Sequence, residues 1–473
     1  MDATIRLTPS DLARPACKVL QDQATGVVKT PQQNSFVSKS QNCWLPAAYC
    51  VRPRNTDEVA AVLGTLKKLE VKFAIWSTGR YSNVNSNSVD GSGVFIDLRD
   101  SKSLSLDERD GTLRAGGGST WGMCAPFSKS VGVQSSSGMS AFPNIHGLPA
   151  DGVKNFEVVL GDTSVMNANS ETNPDLWRVL KGDGTNFGIV TRFDFETYPL
   201  IKTKYTVNLY DPANYVNILR ATVEVQESME SDPKIGLFVS FNPTFIVVGL
   251  LYADAPVEVP SAFDPFLNLK SLTATAVPWA DGTIVSLVAS IQFNPPSARR
   301  TQSVTSTKVS LDHYLKVHEL WLEANKTAVA EISYTIQPLA SSAVTEGEWR
   351  GGNIVGIEKL AQNWYAFAGF WSDPGLDEEG IRNVDDLQRG AEQVAKSSGD
   401  HLRFQLMTDG GPLQTVLESY GPDNLGKIRE AATKYDPGRV FQVLQNGGNL
   451  LRRLLRCRRL SGVNLEGFAH SKL

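Results

Sequence analysis

The residues best placed to do chemistry in this chain of 473 residues lie on or beside glycine-bearing loops. The loop KGDGTNFG, 181–188, carries Gly182, Gly184 and Gly188, and such a loop lets backbone amides approach a ligand closely. A second turn, TDGG, sets Asp409 before Gly410 and Gly411. Asp409 acts as a base only if it points inward with a suitable pKa; otherwise it is an ordinary turn aspartate. The histidines are His146, His313, His318, His401 and His470. His313 and His318 fall on different faces of one expected helix, so they do not form a metal site. The cysteines at 17, 43, 50, 124 and 457 are scattered, odd in number and without metal-ligand spacing, which points to reduced thiols and no bound metal. The glycines of AGGGS, 115–119, lack the G-x-G-x-x-G spacing and a surrounding βαβ unit, so nicotinamide chemistry on a Rossmann fold is a poor fit.

These loops need a scaffold, and the chain is long enough for two or three domains with large cores. Apolar content is 41% and charged content 20%, ordinary for a globular protein. A net charge of −4 argues against a nucleic-acid partner, and no apolar run is long enough to span a membrane. The N-terminus lacks an apolar signal core, so export is not expected. The first third alternates short strands and helices: a strand at 48–52, a helix opened by Thr56-Asp57, the strand VKFAI, the strand VFIDL, and a hairpin turning at Asp110-Gly111. A helix restarts over 119–131. Residues 151–199 hold strand, turn, strand, helix, loop and strand; Asn173 is expected to cap the helix, Pro174 to open it and Gly182 to stop it. From 203 to 400 long strands alternate with helices at 212–229, 308–325 and 378–397, and AVPWADGTIVSLVASIQF reads as strand. A large antiparallel sheet flanked by helices on one face is the simplest arrangement. The aromatic run NWYAFAGFW, 362–371 with its leading glutamine, either packs in the core or lines a pocket.

The wording of 151–199, together with WSTGRYSNVNSNSVDGSGVFIDL, AGGGSTWG and LESYGPDNLGKIREAATKYDPGRVFQ, resembles the berberine-bridge-enzyme-like FAD-linked oxidoreductases of the vanillyl-alcohol-oxidase superfamily, fungal secondary-metabolite type. The resemblance covers about residues 15–447. It implies an α+β fold: a two-part FAD-binding domain over 1–202, a substrate domain over 203–400 with a large antiparallel sheet, and a segment 401–447 that packs back on the FAD domain. Residues 448–473 form a tail outside the resemblance. It also implies FAD as cofactor, a small-molecule substrate oxidised by two electrons with hydride passing to flavin N5, and molecular oxygen as acceptor, releasing hydrogen peroxide. Asp409 aligns with the acidic residue that, in some fungal members, follows the family's asparagine near the flavin. The cofactor-binding positions carried over are Ser77, Thr78, Gly79, Arg80, Ser82, Asn83, Gly138, Gly147, Asp151, Gly188, Ile189 and Val190.

The match is incomplete at the flavin. Arg80 stands where the family's flavin-attaching histidine belongs, and arginine cannot form that bond, so the FAD is expected to be non-covalent. Arg80 either pairs with the diphosphate or faces solvent. Thr78 replaces a glycine and narrows the backbone choices there. A stretch that relatives carry between Val133 and Ser136, with flavin-cradling glycines, is missing; either a coding fragment is lost or the site is degenerate. The second case would give a flavin-poor protein of the same fold that binds or cyclises a metabolite. Thr408 stands where many relatives have asparagine.

The tail NLLRRLLRCRRLSGVNLEGFAHSKL reads either as a small basic amphipathic helix or as translated non-coding sequence. It ends in Ser471-Lys472-Leu473, a peroxisomal address read by the import receptor, with chance odds on the order of one in several thousand for random sequence. The expected location is the peroxisome, with the cytoplasm as alternative. A fluorescent protein ending in residues 462–473 is predicted to form puncta that overlap a peroxisome marker, and to turn diffuse on removal of Leu473. Diffuse signal from both fusions refutes the address.

Overall fold

A computed structural model describes residues 9–23, 27–29, 41–43, 45–77, 79, 83, 86, 88–124, 139–182, 184–291 and 298–454. Three sheets organise them. The first has four strands in the order Val27–Lys29, Tyr49–Arg52, Gly93–Asp97, Lys72–Trp76; its last three are parallel. The helix Thr56–Lys68 makes the crossover. Asn55 caps it by accepting from the Glu58 amide, Asp57 and Glu58 face its positive end, and Val59, Val62, Leu63 and Leu66 bury its apolar stripe.

The second sheet is antiparallel: Leu104–Asp107, Thr112–Gly116, Gly188–Glu196, Val153–Leu160, Val165–Asn169. Gly111, at φ 61°, makes the hairpin that Asp110-Gly111 announces. The third sheet has eight antiparallel strands in the order Leu272–Gly282, Thr203–Tyr210, Ile246–Ala253, Ile235–Phe241, Glu331–Leu339, Gln362–Trp371, Arg299–Lys308, His401–Leu402. Its helix-covered face buries Val239, Phe241, Tyr334, Ile336, Tyr365 and Phe367 under Tyr215–Ser228, Leu311–Thr327 and Asp377–Ser398. The α+β class with a large antiparallel sheet is thus present. Tyr365, Phe367 and Trp371 of the aromatic run are core, as is Trp364 on the opposite face.

Two local expectations need correction, and a third falls mostly outside the described residues. Asn173 does not cap Pro174–Leu180: it sits at φ 52° and its side-chain amide donates to the Asn167 carbonyl at 2.9 Å. The run from Ala276 is not one strand. It turns helical at Ile284–Ile291, because the Thr283 amide donates to Ser286 Oγ and the Ser286 amide to Thr283 Oγ1, a reciprocal cap. The helix expected over 119–131 is described only as Trp121–Cys124; the rest lies outside the described residues. Cys17, Cys43, Cys50 and Cys124 are all buried and unpaired by disulfide, and burial pushes the Cys17 and Cys50 thiols up to about 12.

After the third sheet the chain returns to the first two. Phe404, Leu406, Val416, Leu417, Tyr420, Leu425 and Ile428 join one apolar cluster with Trp177, Leu180 and Phe187. Val440, Phe441 and Leu444 join another with Val62, Phe73 and Ile96. The Phe73 amide donates to the Leu444 carbonyl at 3.0 Å and the Asn446 amide to the Phe73 carbonyl at 2.6 Å, so the returning segment lengthens the parallel sheet by one bridge. Asp436 holds the approach by accepting from the Val440 and Phe441 amides. Phe441 is fully buried and meets Phe73 edge-on at 6.1 Å. Phe441→Ala is predicted to destabilise the fold by about 3–5 kcal/mol, measured by denaturant unfolding; a loss below about 1 kcal/mol would show that this packing is dispensable.

Candidate functional site

The parallel strand Lys72–Trp76 ends at the loop that the sequence singles out. Ser77 is exposed. Gly79 lies at φ 68°, and a Cβ there would fall 1.9 Å from the Trp76 ring, so only glycine fits. Asn83 is 1% exposed and its side-chain amide donates to the Gly410 carbonyl at 2.7 Å. Thr78, Arg80, Ser82 and Gly138 lie outside the described residues. The structure therefore joins Asn83 directly to the turn that carries Asp409.

That turn is held from four directions. Gln302 donates to the Thr408 carbonyl, and Gln337 Nε2 donates to Asp409 Oδ2 at 3.0 Å. Asn83 takes the Gly410 carbonyl, while the Gly411 amide donates to Gln414 Oε1 at 2.8 Å. Arg453 Nη2 donates to the Pro412 carbonyl at 2.6 Å. Gln414 is itself fixed, exchanging hydrogen bonds with the Val304 amide and carbonyl as a strand residue would. Asp409 is 7% exposed, and burial pushes its carboxyl up to about 6, against the single stabilising bond from Gln337. It is a turn residue, but a buried one.

The other candidate positions fall into two groups. Gly188, Ile189 and Val190 begin a strand paired with Leu160, Val159 and Val158. A Cβ on Gly188 would meet the Val159 carbonyl at 2.7 Å, and Ile189 is 1% exposed in the core. Gly147 ends the short helix Pro143–His146 at φ 73° and stacks closely on Asp151, whose Oδ2 takes the Leu148 amide at 2.9 Å and Oδ1 the Asn353 side chain at 2.8 Å. Burial raises the Asp151 carboxyl above the usual range. Lys181 reaches the carbonyls of Asp151 and Arg350 and lies 3.7 Å over the Trp177 ring; burial lowers it to about 8. His146 stacks on Tyr198 at 4.2 Å and is kept neutral, its pKa lowered by burial to about 4. This second cluster, beside a cavity of about 170 Å³, joins the second sheet to the helix Ser341–Trp349 and stands apart from Asp409 in its hydrogen bonds.

Sequence reasoning missed Gln337, Gln302, Asn186, Gln445 and Arg453. Gln337 had a signal: in Glu331–Leu339 the buried Ile332, Tyr334 and Ile336 alternate with Ser333, Thr335 and Gln337, which put polar groups on the face opposite the helices. The junction also offers groups suited to a polar cofactor. Ser88 Oγ and Gln445 Oε1 are buried without a hydrogen-bond partner among the described residues, and the Asn446 side chain ties the two segments by donating to the Ser88 carbonyl at 2.8 Å. A hydroxyl donor, an amide acceptor and a left-handed glycine beside the parallel strand's end fit a ribityl-diphosphate chain. No group of three or more metal-ligating side chains occurs among the described residues.

Asp409 gives a signed pH prediction. Its folded pKa, about 6, lies above the reference 3.8, so the fold favours the protonated acid. That contribution is full below about pH 4 and is lost as pH rises through 6. Asp409→Asn keeps the bond to Gln337 without the charge. The variant is predicted to gain stability over the parent chain between pH 4 and 6, by about 3 kcal/mol at the plateau, in paired urea melts. A flat difference would show that the carboxyl is not desolvated.

Known flavoproteins resemble this chain in sequence and in fold. A sequence profile described as an FAD binding domain matches residues 47–143. The chain is 32% identical to an FAD-dependent monooxygenase of Arthrobotrys oligospora, over 92% of this chain and 88% of the relative. It is 30% identical to an FAD-dependent monooxygenase of Penicillium terrestre, over 91% and 87%. It is 28% identical to the bifunctional solanapyrone synthase of Alternaria solani, over 92% and 88%. In fold it is similar to a xylooligosaccharide oxidase from Myceliophthora thermophila, with TM-score 0.74, 18% identity and coverage of 91% and 99%. It is equally similar to the glucooligosaccharide oxidase of Acremonium strictum, whose FAD is 6-S-cysteinyl and 8α-N1-histidyl, with TM-score 0.74, 13% identity and coverage of 92% and 98%.

Proposed function

The chain belongs to the FAD-dependent oxidoreductases of fungal secondary metabolism, in the berberine-bridge-enzyme-like family, and we propose that it oxidises a small secondary metabolite by two electrons with molecular oxygen as acceptor. The observation that carries this reading is Asp409, a buried carboxylate with a pKa near 6, fixed by Gln337 and tied through Gly410 to Asn83 of the flavin loop. FAD, when bound, supplies the two-electron acceptor. Ser77, Gly79, Asn83, Ser88 and Gln445 are the described residues that would hold it.

The chain's own part is binding, orientation and proton handling. Above pH 6 the Asp409 carboxylate is ionised and can take a proton from a substrate hydroxyl or C–H at Oδ1, while Oδ2 stays on Gln337. The open sheet face beside it carries Ser240 and Thr335, hydrogen-bonded to each other at 3.1 Å, and Ser333; these are hydroxyls suited to orienting an oxygenated small molecule. Arg80 at the attaching position supports a non-covalent flavin. The relatives' names favour a second reading, in which oxygen enters the product rather than leaving as peroxide. The short segment between Val133 and Ser136 favours a third, a flavin-poor protein of the same fold. A terminal Ser-Lys-Leu supports import into peroxisomes, where peroxide is removed.

The test starts from purified chain titrated with FAD. It is predicted to turn yellow and to release all flavin into the supernatant on acid precipitation. Peroxide release should identify the substrate from a metabolite extract, at one peroxide per oxygen consumed. Asp409→Asn is predicted to lower kcat by about 10²–10⁴ with little change in FAD affinity. Label from ¹⁸O₂ in the product would select the monooxygenase reading, and a chain that takes up no FAD would select the flavin-poor one.

A further inference from the structure

The first residues after the family-like sequence are built into the junction rather than trailing from it. Asn186, fully buried on the 181–188 loop, donates from Nδ2 to the Asn449 carbonyl at 2.9 Å and accepts at Oδ1 from the Leu451 amide at 3.0 Å and the Gln442 side chain at 2.8 Å. The Arg452 amide donates to Gln442 Oε1 at 3.0 Å, and its guanidinium to the Gln445 carbonyl at 2.5 Å. Arg453 spends its guanidinium on two main-chain carbonyls, Pro412 at 2.6 Å and Gly448 at 3.2 Å. Leu450 is 1% and Leu454 4% exposed. Leu454 and Leu451 pack in the same apolar cluster as Cys124 and Met139, the described residues flanking 125–138.

We propose that residues 449–454 form a clasp that closes the cofactor junction, and that Arg453 is the positioning residue for the turn carrying Asp409. The clasp joins the 181–188 loop, the 442–448 segment and the 408–412 turn, which nothing else among the described side chains links at once. Gly410 and Gly411 give that turn unusual backbone freedom, and Pro412 has no amide to anchor, so its carbonyl is the available handle. A planar guanidinium can grip two carbonyls with fixed geometry, which a lysine ammonium does less well. The catalytic meaning of the clasp rests on Asp409 as base; its mechanical meaning does not.

Hydrogen–deuterium exchange on the full-length chain separates the two. Arg453→Ala is predicted to speed exchange across residues 406–414 about tenfold, the size of one charge-assisted hydrogen bond, while the strand Val153–Leu160 stays protected as in the parent chain. Arg453→Lys should restore part of the protection. In the FAD-loaded chain Arg453→Ala should also weaken FAD binding about tenfold, read by flavin fluorescence, and truncation after Gly448 should weaken it further. Unchanged exchange over 406–414 in Arg453→Ala overturns the proposal, whatever the activity. If the truncated chain is insoluble, the point variants decide. If the parent chain takes up no FAD, the functional reading falls while the exchange result still stands or fails on its own.

Discussion

Five consecutive residues, Thr408 to Pro412, are tied to four different parts of the molecule, and the candidate site depends on that convergence. The large sheet supplies Gln302 and Gln337, the loop after the first parallel sheet supplies Asn83, the returning segment supplies Gln414, and the tail supplies Arg453. No one bond is strong; each contributes on the order of 1 kcal/mol, and about 1.5–3 kcal/mol where a charge takes part. Together they fix a turn whose two glycines would otherwise sample many shapes. The three sheets could pack without this turn, but the carboxylate would have no defined place.

Three buried aspartates show what sets Asp409 apart. Asp436 accepts two backbone amides and caps the return of the chain. Asp151 accepts one backbone amide and one side-chain amide, with the Lys181 charge nearby. Among the described residues the Asp409 carboxylate has only Gln337. The first two are stabilised in the form that holds the backbone, so their raised pKa values describe the cost of structural work. In Asp409 one oxygen is anchored and the other carries no hydrogen bond among the described residues, and burial sets its titration near 6. A group with spare acceptor capacity and a pKa just below neutrality is suited to receiving a proton.

The elements legible in the sequence were those with local signals. Thr56-Asp57 marked a helix, Asp110-Gly111 marked a hairpin, and alternating apolar runs marked the strands of the large sheet. The errors had local causes as well: Asn173 uses its side chain on the Asn167 carbonyl instead of its own helix, and Thr283 and Ser286 cap each other inside an apolar run that otherwise reads as strand. Asp409 could be named from the resemblance, but its burial could not, because it depends on partners 72 residues away for Gln337 and, at Gly410, 327 residues away for Asn83. Glutamine and asparagine that pin a distant backbone leave no periodic trace. Gln337 is the partial exception, since it shares the polar stripe of its strand.

The departure at position 80 and the contacts of residues 449–454 belong to one physical problem. A covalent tether holds a cofactor whatever the surrounding loops do. A cofactor held without such a tether depends on closure of the surrounding polypeptide, so every opening of the loops is also a route for loss. Closure then requires contacts that link the segments around the cofactor to one another. Asn186 does this for the 181–188 loop, Asn446 for the segment containing Ser88, and Arg453 for the turn at Pro412. Residues 449–454, which read as foreign to the family, thus lie where such closure needs contacts, and Arg452 and Arg453 act through backbone carbonyls rather than through the surface charge that their spacing suggested.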